Sequence, residues 1–207
     1  MKKNGFLISI EGIDGSGKTL LSQNLYKALK EKNLDILLTR EPGDTTLGKK
    51  LRYIMHEEKE TVCDMAEYLL MATDRAQHFE QVIVPNLKRG KIIISDRMGD
   101  SSIAYQGYGR GLNTSMIERV NQWAMQNIKP NVTFYVKIDI ETAMNRIFER
   151  KEKLTSFEQE KTEFWQKVMH GYEQIFKNRT NVVTLDGTKT PEAVCKQVLK
   201  ALTPYNL

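Results

Sequence analysis

Short unbroken apolar runs alternate along this chain with longer stretches in which apolar residues recur every three or four positions. The first run, Phe6-Leu7-Ile8-Ser9-Ile10, reads as a strand buried on both faces, because neighbouring side chains of a strand point to opposite sides. Beyond Lys18 the period changes, and Leu20, Leu21, Leu25, Ala28 and Leu29 fall on one side of a helix. Asp35-Ile36-Leu37-Leu38-Thr39 predicts a second strand, stopped by Glu41-Pro42-Gly43, and Leu47, Leu51 and Ile54 mark the helix after it. Val62 to Leu87 reads as a long helical region with a break near Asp74 to Gln77. Lys91-Ile92-Ile93-Ile94-Ser95 is a third strand. The helical stretch behind it is interrupted at Gly107-Tyr108-Gly109-Arg110-Gly111 and ended by Pro130. Val132 to Ile138 is a fourth strand. Helices over Glu141–Arg150 and Phe157–Lys177 flank a charged break, Val182-Val183-Thr184-Leu185 is a fifth strand, and a last helix runs from Pro191 to before Pro204. Met65, Tyr68, Leu69, Phe164, Trp165 and Tyr172 are expected in the core.

Strands that alternate with helices argue for an α/β fold, a five-stranded parallel sheet with helices on both faces. The chain is long enough for one sizeable core and short for two, so 1–207 is expected to form a single domain. Ligands of such sheets sit at the carboxyl ends of the strands. The residues there are Glu11-Gly12, Arg40-Glu41, Asp96-Arg97, Asp139 and Asp186.

One of these strand ends carries a strong motif. Gly12-Ile13-Asp14-Gly15-Ser16-Gly17-Lys18-Thr19 fits G-x-x-x-x-G-K-[ST] at every fixed position, between strand and helix as a phosphate-binding P-loop requires. Its glycines let successive N–H groups converge on one oxyanion, and the helix adds its free N–H groups and the positive end of its dipole. Lys18 supplies a full charge at the β- and γ-phosphates of a bound ATP, and the Thr19 hydroxyl can ligate Mg²⁺.

Composition narrows the partners. Of 207 residues, 31 are Lys or Arg and 26 are Asp or Glu, a net charge of +5 that suits a polyphosphate. The basic residues lie scattered among acids, so nucleic acid is not the expected partner. Cys63 and Cys195 stand far apart, as in a reduced cytoplasmic setting. The basic Met1-Lys2-Lys3 start looks like a signal segment, but the apolar run behind it stops at Glu11, too short for a leader or a membrane span.

Other residues can serve a phosphoryl transfer. A carboxylate inside an anion-binding loop is repelled by phosphates, so Asp14 should face a hydroxyl of a second substrate or water around Mg²⁺. Glu41, held at the rim by the Pro42-Gly43 turn, could hold the metal's water shell. Asp96, after the third strand, is placed to hold Mg²⁺, and Arg97 beside it to neutralise an acceptor phosphate. Arg146, Arg150, Lys151 and Lys153 cluster at the charged break and suggest a short basic lid at about 146–157. His56, His78 and His170 lack metal-ligand spacing and are assigned to surface or packing. Asp96-Arg97-Met98-Gly99 also satisfies a D-x-x-G switch pattern, but no N-K-x-D accompanies it.

The segments EGIDGSGKT, TREPG, LLMATDRAQH and DRMGDSSIAYQG occur in the order seen in bacterial thymidylate kinases, and from Phe6 to Tyr172 the chain resembles that family. The resemblance implies a P-loop nucleoside monophosphate kinase fold, Mg²⁺-dependent transfer of the γ-phosphate of ATP to dTMP, and a cytoplasmic homodimer that supplies dTTP for DNA synthesis. It implies that Arg75 reads a thymine carbonyl, that Ser102 and Gln106 lie at the base edge, and that Tyr105 packs on the sugar and disfavours a ribose 2′-hydroxyl. Asp14 would meet the 3′-hydroxyl, and Arg97 with Arg52 the acceptor phosphate. Met71 stands where the family usually stacks an aromatic ring on thymine. Met98 follows Asp-Arg where an aromatic or His is common. Thr155-Ser156 replaces the lid's Asp-Arg pair, and the P-loop has no arginine, so the donor-side charge is expected from Arg146 or Arg150. The rival readings are a kinase of another nucleotide or deoxynucleoside, which Met71 encourages, and a P-loop ATPase that switches a partner.

Overall fold

The computed structural model describes residues 5–56 and 62–207. Met1-Lys2-Lys3 and the side chain of His56 lie outside the described residues. Five strands, β1 (Phe6–Glu11), β2 (Ile36–Arg40), β3 (Ile92–Asp96), β4 (Val132–Lys137) and β5 (Val182–Asp186), form one sheet in the order β2-β3-β1-β4-β5. Every pairing is parallel. In the centre Ile8 pairs with Ile94 on one side and with Val132 on the other.

Strand alternation divides the core. Ile8, Ile10, Ile92, Ile94, Val132, Phe134 and Val136 face α1 (Lys18–Glu31) and α9 (Pro191–Leu202), packing on Leu21, Leu25, Leu29, Val194, Val198 and Leu202. The intervening residues turn to the opposite face. There Leu7 and Ile93 meet Phe79, Ile83, Met98 and Met125. Tyr135 meets Trp165, Val168 and Tyr172 of α8 (Thr162–Phe176). The remaining helices are α2 (Thr46–His56), α3 (Asp64–His78), α4 (Val84–Lys88), α5 (Gly99–Ser102), α6 (Thr114–Ala124) and α7 (Ile140–Glu149). Among the described residues no helix is long and apolar enough to cross a membrane.

Some expectations need correction. The predicted break near Asp74 to Gln77 does not occur. The α3 helix runs on through a π-helical turn, Phe79–Ile83, into α4. Pro85 falls in the first turn of α4, where a missing N–H costs least. The helix expected from Phe157 begins only at Thr162. Phe157 instead lies ahead of that helix and packs its ring edge-on against Tyr105. Leu20, Leu47, Ile54, Met65 and Leu69 are exposed rather than packed. For Leu20 the reason is local, since it borders the cleft beside the P-loop.

Candidate active site

Chain order makes β1 and β3 the switch point of the sheet. The connection after β1 leads to the β2 side, and the one after β3 leads to β4 on the far side. A crevice opens where neighbouring strands send their chains apart, and both predicted phosphate-handling segments lie at its mouth. Gly15 has φ +77°, and a Cβ there would stand 2.3 Å from the Ala143 carbonyl oxygen of α7, so only glycine fits this close backbone approach. Arg97 takes the left-handed region at φ +73° as it leaves β3. Non-glycine residues are held there at a cost, and such strain gathers at functional sites. Its backbone is anchored by its N–H to the Ile10 carbonyl at 3.0 Å and by its own carbonyl, which accepts from Ser95 Oγ at 2.7 Å.

The centre of the site is an ion cluster. Asp14 Oδ1 lies 3.0 Å from Lys18 Nζ and 2.6 Å from Arg97 Nη2. Burial alone would raise the Asp14 carboxyl, but the two cations hold it well below the usual carboxylate range. Burial and the Arg97 charge pull the Lys18 ammonium down. The Tyr105 hydroxyl accepts from Arg97 Nη2 at 2.9 Å and from the Asp14 backbone N–H at 3.2 Å. Burial pushes this phenol up, so it stays neutral.

Beside the cluster, the Thr19 hydroxyl donates to Asp96 Oδ2 at 2.6 Å, while Asp96 Oδ1 is buried with no partner among the described residues. Buried carboxylate oxygens are normally satisfied, so this one awaits a ligand. No group of three or more His, Cys, Asp or Glu side chains among the described residues could hold a metal unaided. One carboxylate and a hydroxyl are what Mg²⁺ uses when phosphates and water complete its shell. Thr19 and Asp96 therefore fit the ion.

Glu41 lines the cleft but is buried in its wall and does not stand out at the rim. It is only 4% exposed, and its oxygens meet Arg75 Nε at 2.8 Å and His78 Nδ1 at 2.9 Å. Both of its oxygens are thereby engaged by protein groups. Arg75 also donates to Asn121 Oδ1 at 2.7 Å, Ser102 Oγ at 3.1 Å and the Met98 carbonyl at 3.3 Å. Gln106 gives its amide N–H to Glu67 at 2.9 Å. Tyr105 and Gln106 sit on a second π-helical turn, Ile103–Gly109, a feature common at functional sites.

One cleft of about 420 Å³ joins these groups. Asp14, Gly15, Gly17, Lys18 and Thr19 form one end, and Glu41, Arg52, Met71, Arg75, Ser102, Tyr105 and Gln106 the other. Asp96, Arg97, Arg146 and Arg150 line it as well. Gly12, Ile13 and Ser16 of the same P-loop do not line it. Arg52 is tethered to the Pro42 carbonyl at 3.2 Å. Arg150 is paired with Glu158, whereas Arg146 has no hydrogen bond or ion pair among the described residues. Thr155 and Ser156 make structural contacts. The Thr155 N–H donates to Glu158 at 2.9 Å, and the Ser156 hydroxyl reaches the Met55 carbonyl of α2 at 3.1 Å.

Two other strand-end acids have local roles only. Asp139 caps α7, accepting from the Thr142 N–H at 2.8 Å, and Asp186 closes a turn on Thr188. Sequence reasoning placed Glu11 at a strand end without a role, assigned His78 to surface or packing and Tyr172 to the core, and did not single out Asn121. Glu11 is buried beneath Arg97, accepting from the Met98 N–H at 2.7 Å and Ser101 Oγ at 2.6 Å. Burial first, and then the Asp100 charge, raise its carboxyl to about 7. Tyr172 Oη accepts from Arg97 Nη1 at 3.1 Å. An acid at the end of an apolar strand was the one available signal for Glu11. The other three lie on helices that look merely amphipathic.

Comparison with known proteins agrees with this geometry. The family model described as thymidylate kinase matches residues 10–198. The thymidylate kinase of Halothermothrix orenii is 37% identical over 196 residues, covering 94% of each chain. That of Carboxydothermus hydrogenoformans is 40% identical over 202 residues, covering 98% of each. The crystal structure of thymidylate kinase from Ehrlichia chaffeensis superposes with a TM-score of 0.78 at 32% identity, covering 97% of this chain and 99% of that one. With its five-stranded P-loop sheet and the match spanning nearly its whole length, the chain belongs to the thymidylate kinase family.

Proposed function

We propose that this enzyme transfers the γ-phosphoryl group of ATP to dTMP, giving ADP and dTDP, in the cleft between the P-loop and Arg75. The observation that carries the reading is the continuity of that cleft. Lys18, suited to a donor's phosphates, and Arg97, suited to an acceptor's, are bridged by one carboxylate, Asp14.

An oxygen of the dTMP phosphate attacks the γ-phosphorus, and the bond from that phosphorus to the β-γ bridging oxygen breaks as ADP leaves. The attacking oxygen is already anionic, so positioning and electrostatics do the work and no base is required. Lys18 and the α1 N–H groups bind the donor's β- and γ-phosphates. Arg97 and Arg52 hold the acceptor phosphate, offsetting the repulsion between two anions. The free guanidinium of Arg146 supplies charge from the lid side, ahead of Arg150, whose fork is engaged with Glu158. Arg75 reaches the base with Ser102, Gln106 and Met71 around it, and Asp14 and Tyr105 meet the sugar. Thr19 and Asp96 would hold Mg²⁺, which would supply positive charge against the phosphates.

The reading includes a cytoplasmic homodimer. Exposed Met65 and Leu69 on α3, and Trp123 on the neighbouring α6, support an apolar face for a second copy. Sedimentation tests it, and a monomer at micromolar concentration sinks it.

The activity itself is tested by offering dTMP, dUMP, dCMP, dGMP and thymidine with ATP and Mg²⁺ while ADP release is followed. The expected result is the highest kcat/KM with dTMP. Strong ATP hydrolysis that ignores the monophosphate would overturn the proposal.

A further inference from the structure

The geometry points to His78 as a positioning residue for the acceptor base, setting the Arg75 guanidinium through Glu41. The inference rests on the reading that Arg75 meets the base. His78 ends α3, close behind Arg75 on the same helix, and has no solvent exposure. Its two ring nitrogens face different partners, Nδ1 the Glu41 Oε1 at 2.9 Å and Nε2 the Thr39 Oγ1 at 2.7 Å. Thr39 in turn touches Asp44. Arg75 holds the Glu41 carboxyl below its usual range although burial opposes this, so Glu41 is a carboxylate and can only accept. The proton of the shared hydrogen bond therefore sits on Nδ1.

That bond has a structural job. A guanidinium has five N–H groups. Four contacts to protein occupy Arg75 here, one from Nε to Glu41, one from Nη1 to Asn121 and two from Nη2 to Met98 and Ser102. The remaining Nη1 N–H has no partner among the described residues, and since Arg75 lines the cleft, this N–H is left for a carbonyl of the ligand. Its direction follows from the clamp at both ends of the fork, Glu41 at Nε and Asn121 at Nη1. Glu41 is fixed on its far oxygen by His78. Without His78 that oxygen is buried and unpaired, a costly state, and the carboxylate must rotate to relieve it. The guanidinium then loses its register against the base.

The test uses the full-length enzyme and four variants: His78→Ala, His78→Asn, His78→Gln and Arg75→Ala. Steady-state kinetics with dTMP and with ATP varied separately are run beside thermal melts. We expect Arg75→Ala to raise KM for dTMP most, and His78→Ala to raise it roughly tenfold, the worth of one charge-assisted hydrogen bond, with KM for ATP within about twofold. His78→Asn, whose amide N–H occupies the Nδ1 position, should recover most of the loss. His78→Gln, whose amide reaches the Nε2 position, should not. ¹⁵N-edited spectra of the unliganded protein should find the proton on Nδ1. If Arg75→Ala leaves dTMP use unchanged, the reading of Arg75 fails. If Arg75→Ala impairs dTMP use while His78→Ala does not, the role of His78 fails. It also fails if folded His78→Asn and His78→Gln behave alike, or if Nδ1 carries no proton. Should His78→Ala not fold, the Asn and Gln pair and the spectra decide.

Discussion

Replacing Lys18 with Ala removes the one ammonium on the floor of the P-loop. The side chain is 6% exposed, and its Nζ lies 3.2 Å from the Ile13 carbonyl and 3.0 Å from Asp14. A buried hydrogen bond to a charged group is worth roughly 1.5–3 kcal/mol. Losing one preorganised donor to a developing oxyanion costs about 2.7–4 kcal/mol in the transition state. The expected penalty is therefore at least ~2.7 kcal/mol, about a hundredfold in kcat/KM. Folding should not share that loss, because Asp14 keeps Arg97 at 2.6 Å when the lysine is gone. Turnover is followed by coupling ADP formation to NADH oxidation, with melting curves recorded on the same samples. Lys18→Arg keeps the charge but offers a planar fork where a compact ammonium is needed, so it should rescue little. A folded Lys18→Ala protein within about tenfold of the parent in kcat/KM would refute the assignment.

Arg146→Ala should lower kcat by roughly a hundredfold and Arg150→Ala by less, since Arg150 is already spent on Glu158; single-turnover rates at saturating substrates compare them, and equal losses would return the choice to open. Gly15→Ala forces a Cβ to within 2.3 Å of the Ala143 carbonyl at φ +77°, so the loop must move off α7, and titration calorimetry should show ATP affinity lower by about tenfold or more. Glu11 has a folded-state carboxyl raised from 4.5 to about 7, so it binds its proton more tightly in the native protein than in the unfolded chain. The sign follows: stability from this group is full below pH 4.5 and is lost as pH rises through about 7. Urea unfolding between pH 5 and pH 8 should show that decline, and Glu11→Gln should flatten it; an unchanged slope in the variant would place the effect elsewhere, with Asp74 the next group to test because burial raises it to about 6.

Much of this was legible in the chain because the signals were local. Five buried strands announce themselves as runs such as Ile92-Ile93-Ile94, and a P-loop depends on glycine and lysine spacing within eight residues. What was hidden required contacts between distant segments. Nothing near Glu41 says that His78 and Arg75 will take both its oxygens, because those partners lie 37 and 34 positions away. The polar residues around Asp74 to Gln77 suggest a break, yet Asp74 and Arg75 are buried, Asp74 bonded to Gly43 in the turn after β2 and Arg75 to Asn121 of α6. Exposed Met65 and Leu69 misled for the converse reason, since an apolar residue marks a packed face without saying which molecule packs on it.

If Asp14 meets the acceptor's 3′-hydroxyl as proposed, each nucleotide gains a stake in the other's affinity. Asp14 holds Lys18 and Arg97 together. A phosphate chain that draws only the lysine away leaves the arginine more firmly tied, which hinders the second ligand. A deoxynucleotide whose 3′-hydroxyl engages Asp14 releases both cations at once. Linkage then runs in both directions by thermodynamic reciprocity. A 3′-deoxy analogue of dTMP should consequently fail to tighten ATP binding as dTMP does, even where it occupies the same pocket.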